Sequence, residues 1–221
     1  MSILKFILIL ILMLLMNSSL YSKDTTEVVI FQPSVRVGFD VATALNRIWQ
    51  PEVRELEFSL DGEFMPNWFI AAEAGHLDIQ IERESFDYNS NGVFFRVGAD
   101  YNVLRKRDDT SNDVIILFAR YGFATLTHSS DRIQVSNQYW GDLDTSFSSE
   151  KINSHWVELG FSIKAELYRN IFIGWAVRGK YLLYRSRDSL VDPYLIPGFG
   201  SIGKNNTAYS MHYGIYYRIP Y

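Results

Sequence analysis

The chain has 221 residues, no cysteine and a formal net charge of −4. That length can bury a sizeable core, and the lack of cysteine excludes disulfides, thiolate metal sites, a cysteine nucleophile and a lipid-anchor cysteine. An acidic pI near 5.6 gives no footing for nucleic acid, 15% aromatic content argues against disorder, and 21% charged residues are too many for a bundle of transmembrane helices.

Residues 1–22 open with Lys5, continue in an unbroken apolar run over 6–16, and end on Asn17, Ser18, Ser19 and Ser22. This pattern predicts a cleavable secretory signal peptide, followed by a short periplasmic segment, 23–33. From 34 to 221 the signal has period two, the mark of half-buried strands. The predicted strands cover 35–41, 55–64, 68–75, 93–103, 115–124, 157–167, 171–181 and 208–221. In the fourth, Val93, Phe95, Val97, Ala99 and Tyr101 oppose Phe94, Arg96, Gly98, Asp100 and Asn102. The sixth sets Val157, Leu159, Phe161 and Ile163 against Glu158, Gly160, Ser162 and Lys164. Eight strands of this kind predict an all-β fold, an antiparallel up-and-down barrel. No segment of helix length shows a 3.6-residue period.

Alternation alone fits two barrels. A soluble one turns its apolar face inward; an outer-membrane one turns it to lipid. Four features favour the membrane barrel. Long gaps at 42–54, 76–92, 125–156 and 182–206 alternate with shorter ones at 65–67, 104–113 and 168–170, as long external loops and tight periplasmic turns require. Several strands are long enough to cross a bilayer at a tilt. The charged faces are interspersed with glycine, which a narrow eight-stranded interior needs beside long side chains. The last strand carries Tyr217, Ile219 and Tyr221 on its lipid face, a pattern similar to the C-terminal signal read by the barrel insertion machinery. Trp68 and Tyr221 at strand ends suit an interfacial aromatic girdle, and Tyr101, Tyr121 and Tyr181 suit the other rim. Mean hydropathy near zero is then an average over two opposite surfaces.

Pro66-Asn67-Trp68-Phe69, Arg120-Tyr121-Gly122-Phe123, the stretch 155–182 and the run from Tyr194 to Gly200 resemble a Bacteroidetes family of small outer-membrane barrel proteins, described as a domain of unknown function. Its architecture is similar to OmpX- and OmpA-type barrels. The resemblance spans nearly all of 34–221. It implies an outer-membrane location and carries over no catalytic residue; the eight-stranded barrel itself is expected to be monomeric with both termini periplasmic, and no metal or cofactor is expected.

The inward charges are the largest feature. Arg36, Asp40, Glu57, Glu73, Arg96, Asp100, Arg120, Glu158, Lys164, Arg178 and Arg218 are expected to pair into an interior network, because isolated charges there are costly. The alternative use of such a network is a narrow pore. None of His76, His128, His155 and His212 has metal-ligand spacing. His128-Ser129-Ser130 gives a His-x-Ser pair, and Asp131 and Glu150 are the nearby acids. A serine nucleophile needs a base and an orienting acid, so this pair carries the alternative reading of a lipid A-modifying hydrolase. In the long gaps, Tyr139, Trp140, Tyr194 and Phe199 are candidate contact residues; Pro193, Pro197 and the nearby glycines make 192–200 a stiff, defined loop that either folds onto the barrel mouth or serves as a docking patch. The expected function is non-enzymatic: a structural or interaction barrel in the envelope, with outer-membrane lipid and an envelope protein as partners. A soluble periplasmic lipid-binding barrel is the remaining alternative.

Overall fold

The structure, a computed structural model, describes residues 33–46, 48–104, 112–137, 141–186 and 192–220. The expected signal peptide 1–22, nearly all of the segment 23–33, and Tyr139, Trp140 and Tyr221 lie outside the described residues.

Eight strands close into an antiparallel barrel in simple sequence order. They are β1 (Val35–Asp40), β2 (Val53–Met65), β3 (Trp68–Glu82), β4 (Asp87–Asn102), β5 (Val114–Asn137), β6 (Gly141–Tyr168), β7 (Ile171–Arg185) and β8 (Thr207–Ile219). Closure comes from β1 on β8, with Val35 opposite Ile219 and Asp40 opposite Gly214.

Two turns define one end of the barrel, here the turn end. Pro66-Asn67 joins β2 to β3, and Asn67 takes φ 66°, the positive value a type II turn requires after proline. Arg169-Asn170 joins β6 to β7 with both residues at positive φ, 29° and 69°, the signature of a type I′ hairpin. Val35 and Ile219 lie at the same end. Trp68 and Tyr101 pair there with ring centroids 4.8 Å apart, so Tyr101 belongs to the same rim as Trp68 and not to the opposite one, because it is the ladder partner of Trp68.

β3, β4, β5 and β6 run far longer than expected, and β2 and β7 by a few residues. The segments 76–92 and 125–156 are not loops: β3 continues to Glu82, β4 starts at Asp87, β5 reaches Asn137 and β6 begins at Gly141. The alternation persists through them with its polarity exchanged. On β3, Trp68, Ile70 and Ala74 face out with Phe69, Ala71 and Glu73 buried; beyond them His76, Gln80 and Glu82 face out with Leu77, Ile79 and Ile81 buried. Asn89 and Asn91 of β4, Thr127 of β5 and Lys151 of β6 are likewise exposed. The switch falls at matching heights, since Ala74 pairs with Phe95, Phe95 with Phe123, and Phe123 with His155. This protruding half has an ordinary apolar core of Val53, Leu77, Ile79, Ile81, Tyr88 and Phe147.

β1 is short. It ends at Asp40, and Val41 enters helix α1 (Val41–Asn46) instead of continuing the strand. Asp40 caps this helix, its Oδ1 accepting the Thr43 N–H at 3.1 Å. The helix packs on both β2 and β8 and completes the wall where β1 stops.

Candidate functional site

The barrel interior is the site that the strands build. Inward positions bury the cations Arg36, Arg96, Arg120, Lys164, Arg178 and Lys180 with the carboxylates Asp40, Glu57, Asp61, Glu73, Asp100 and Glu158. The two groups are equal in number, so this set is neutral with His212 uncharged. Arg96 is 0% exposed; it pairs with Glu57, with Glu73 at 2.9 Å and with Glu158 at 3.3 Å. Glu73 also meets Arg120, and Arg178 at 2.6 Å. Arg120 reaches Asp100 at 3.2 Å. Toward the turn end, Asp61 lies between Arg36 at 2.6 Å and Lys164 at 2.5 Å. Charges removed from water require such mutual contacts, and a carboxylate that serves several guanidinium groups ties four strands together.

Room for these side chains comes from glycine: a Cβ at Gly122 would overlap the Trp156 indole. That indole donates to Glu158 Oε1 at 2.6 Å. The space left between Asp61, Glu73, Arg120, Lys164 and Arg178 is about 10 Å³, at or below what one water occupies.

The segment 192–203 closes the other end of the network. Ile196 and Gly200 exchange main-chain hydrogen bonds at 3.0 and 2.8 Å, around Pro197 and a Gly198 at φ 70°. This turn puts Ile196 and Phe199 into an apolar cluster with Phe94, Leu126, Ile152, Trp156 and Leu182. Gly198 O accepts from Lys180 Nζ at 2.7 Å and from Arg96 Nη1 at 3.4 Å. The loop is thus a plug that rests its carbonyls on the cations beneath.

Three expected assignments change. Phe199 is not a contact residue at the surface, because it is 1% exposed within the plug. Tyr194 does stay exposed, its N–H donating to Tyr88 Oη at 3.2 Å. Arg218 does not join the ionic network; it bonds Asn170 Oδ1 at 2.8 Å and Asn112 Oδ1 at 2.6 Å, tying down the turn end. His128 and Ser130 both sit in the protruding half without touching as base and nucleophile: Ser130 Oγ donates to Asp87 O at 2.7 Å, and His128 Nδ1 lies 3.3 Å from Tyr88 Oη. Burial holds the His128 imidazole below its usual pKa. The N–H groups of Arg132 and Asp131 hold the Asp87 carboxyl below its own.

The strand alternation already places Lys180 and Asp61 among the inward charges, and the residue it leaves without a role is His212. Lys180 and Asp61 belong to the network. His212 lacks ligand spacing in the sequence, and it comes within 4.8 Å of Asp40 and Glu57 ligand atoms through the fold. His212, Asp40 and Glu57 are the group that could hold a cation. Glu57 already faces the fixed charges of Arg96 and Arg178, which oppose a second cation there.

The whole chain, residues 1–221, matches the model of a family described as Domain of unknown function (DUF6048). No curated relative matches the chain. Among solved structures it is similar to a major outer membrane protein from Thermus thermophilus, at 12% identity and TM-score 0.46, covering 85% of this chain and 98% of that one. It is also similar to Ail, the attachment invasion locus protein of Yersinia pestis, at 12% identity and TM-score 0.40, covering 85% and 97%. A third is CarO of Acinetobacter baumannii, at 13% identity and TM-score 0.40, covering 83% and 96%.

Proposed function

From the premise that the chain belongs to the DUF6048 family, we propose that it is a plugged outer-membrane barrel that holds a rigid hairpin surface outside the cell. The observation that carries this reading is the exposed apolar belt. Leu56, Phe58, Ile70, Phe95, Leu159 and Ile173 are each about half exposed, far more contiguous apolar surface than a water-soluble monomer shows. On β6 the outward apolar residues run from Val157 to Leu167; ten steps of about 3.4 Å at a tilt near 40° span about 26 Å, the height of an outer-membrane barrel's apolar band. A soluble lipid-binding barrel would place these residues inside.

In this orientation the turn end and both chain termini are periplasmic, and the outward Tyr217 and Ile219 serve recognition by the insertion machinery. The β3–β6 hairpins and plug face the exterior. The neutral, tightly paired interior and its plug support a structural or interaction role over conduction. Fractionation with gel mobility measured before and after boiling tests the location. A heat-modifiable band in the outer-membrane fraction is expected, and recovery of the protein from the soluble periplasm would overturn the reading. Crosslinking in native outer membrane tests the interaction role, with a reproducible stoichiometric partner expected through the hairpins; no partner under several crosslinkers would leave the barrel a purely structural element.

A further inference from the structure

We propose that Ser210, His212 and Asp40 form a nucleophilic site for carboxylic esters where helix α1 replaces the strand wall. Ser210 Oγ lies 3.0 Å from His212 Nε2, and His212 Nδ1 lies 2.6 Å from Asp40 Oδ2. The other oxygen of Asp40 is held by the Thr43 N–H at the start of α1. Nucleophile, base and orienting acid thus stand in hydrogen-bond series, with the acid itself fixed. The order places the proton on Nδ1 and leaves Nε2 to accept from the serine.

Two further observations separate this set from the rest of the interior. Every other buried carboxylate among the described residues has an arginine or lysine within 4.0 Å, whereas the ion-pair partner of Asp40 is His212. Asp40 therefore gives its direct ion-pair contact to the imidazole, while still counting in the charge balance of the interior. The position also differs. β1 ends at Asp40 opposite Gly214, so among the described residues β8 from Thr207 to Tyr213 has no strand on that side, and α1 packs against β8. Ser210 remains partly exposed there while His212 and Asp40 are buried. Alternate main-chain N–H groups of this stretch point away from the β7 ladder, and an oxyanion formed at Ser210 would need donors of that kind.

Ser210 Oγ would attack the ester carbonyl carbon as its proton passes to His212 Nε2. The carbon–oxygen bond to the leaving group breaks, and that oxygen takes the proton from Nε2 and departs as an alcohol. Water then attacks the acyl-serine, giving a proton to Nε2. The carboxylic acid leaves, and Ser210 recovers the proton. Exposed Tyr209, Met211 and Tyr213 lie on the opposite face of the strand, so an ester on an apolar chain in the belt would have to reach Ser210 round the edge of β8 beside α1. That last point rests on the membrane reading; the chemistry at Ser210 does not.

The test uses the full-length protein folded in detergent, with heat-modifiable mobility as the check on folding. A soluble fluorophosphonate probe is expected to label wild type at Ser210. Ser210→Ala should abolish labelling. His212→Gln should slow it about 100-fold or more, and Ser130→Ala should leave it unchanged. A folded wild type that does not label, or label that persists in folded Ser210→Ala, overturns the proposal while leaving the membrane location intact. Hydrolysis of p-nitrophenyl acetate and of phospholipid vesicles is then compared: vesicle turnover supports an apolar acyl ester, and turnover of the acetate alone supports the same site acting on soluble esters. Labelling of a protein found in the soluble fraction would support the site and remove the membrane reading.

Discussion

Below the line through Ala74, Phe95, Phe123 and His155 the barrel is charged inside and apolar outside; above it, on β3–β6, the arrangement is reversed. The backbone is the same in both halves, an antiparallel ladder with side chains alternating across the wall. What differs is the medium each face is suited to. In the lower half six buried cations and six buried carboxylates fill the interior that apolar packing fills in the upper half. Fold class and polarity are therefore independent choices, and one strand can make both in turn.

The contrast can be broken most severely from the ionic side. Glu73 meets Arg96, Arg120 and Arg178, so Glu73→Gln leaves buried guanidinium charge unpaired and should cost about 3–5 kcal/mol, read from the urea midpoint of the folded band. In the upper half the equivalent injury is a cavity. Ile79 is 0% exposed, and Ile79→Ala should cost about 2–5 kcal/mol, seen as faster hydrogen exchange confined to the β3–β6 hairpins. The outer faces give a paired test. Leu159→Arg puts a charge in the belt and should cost about 2–4 kcal/mol. Asn91→Arg, on the outer face above the line, should stay within about 0.5 kcal/mol. Equal costs would erase the boundary.

The smallest effect is acid sensitivity of the upper half. The pKa values of His128 and Asp87 are both lowered in the folded hairpins, so the unfolded segment binds more protons and stability rises with pH. The His128 contribution is present above its ordinary value of 6.5 and is lost as pH falls through it. That of Asp87 is lost as pH falls below 3.8. Limited proteolysis between pH 7.5 and 3 should cut the hairpins progressively earlier; a pH-independent pattern would contradict the assignment of these two groups.

The lower half was legible in the sequence because each strand keeps one apolar face, and Arg96, Arg120, Glu158 and Arg178 fell on the other. The upper half was not, for a physical reason: His76-Leu77-Asp78-Ile79-Gln80-Ile81 alternates as cleanly as what precedes it, but in the opposite phase. A search for a continuous lipid face stops at 75. The plug was half legible. Pro197 and Gly198 announced a defined turn, while the inward direction of Phe199 depends on Lys180 and Arg96 reaching up to the plug's carbonyls. Asp40 and His212 are separated by 172 positions, and barrel closure alone brings them together. The His-x-Ser spacing at 128–130 drew attention by its local order, yet the hydrogen-bonded geometry belongs to Ser-x-His at 210–212.

The central claim, lipid around one half and water around the other, is open to a direct measurement because the chain has no cysteine. Single substitutions along the outer face of β6, Lys151→Cys, Asn153→Cys, Leu159→Cys, Phe161→Cys and Ile163→Cys, can be treated with a membrane-impermeant maleimide in intact outer membranes. The account predicts rapid labelling at 151 and 153 and protection at 159, 161 and 163 until detergent is added. Labelling at a uniform rate along the strand would contradict it.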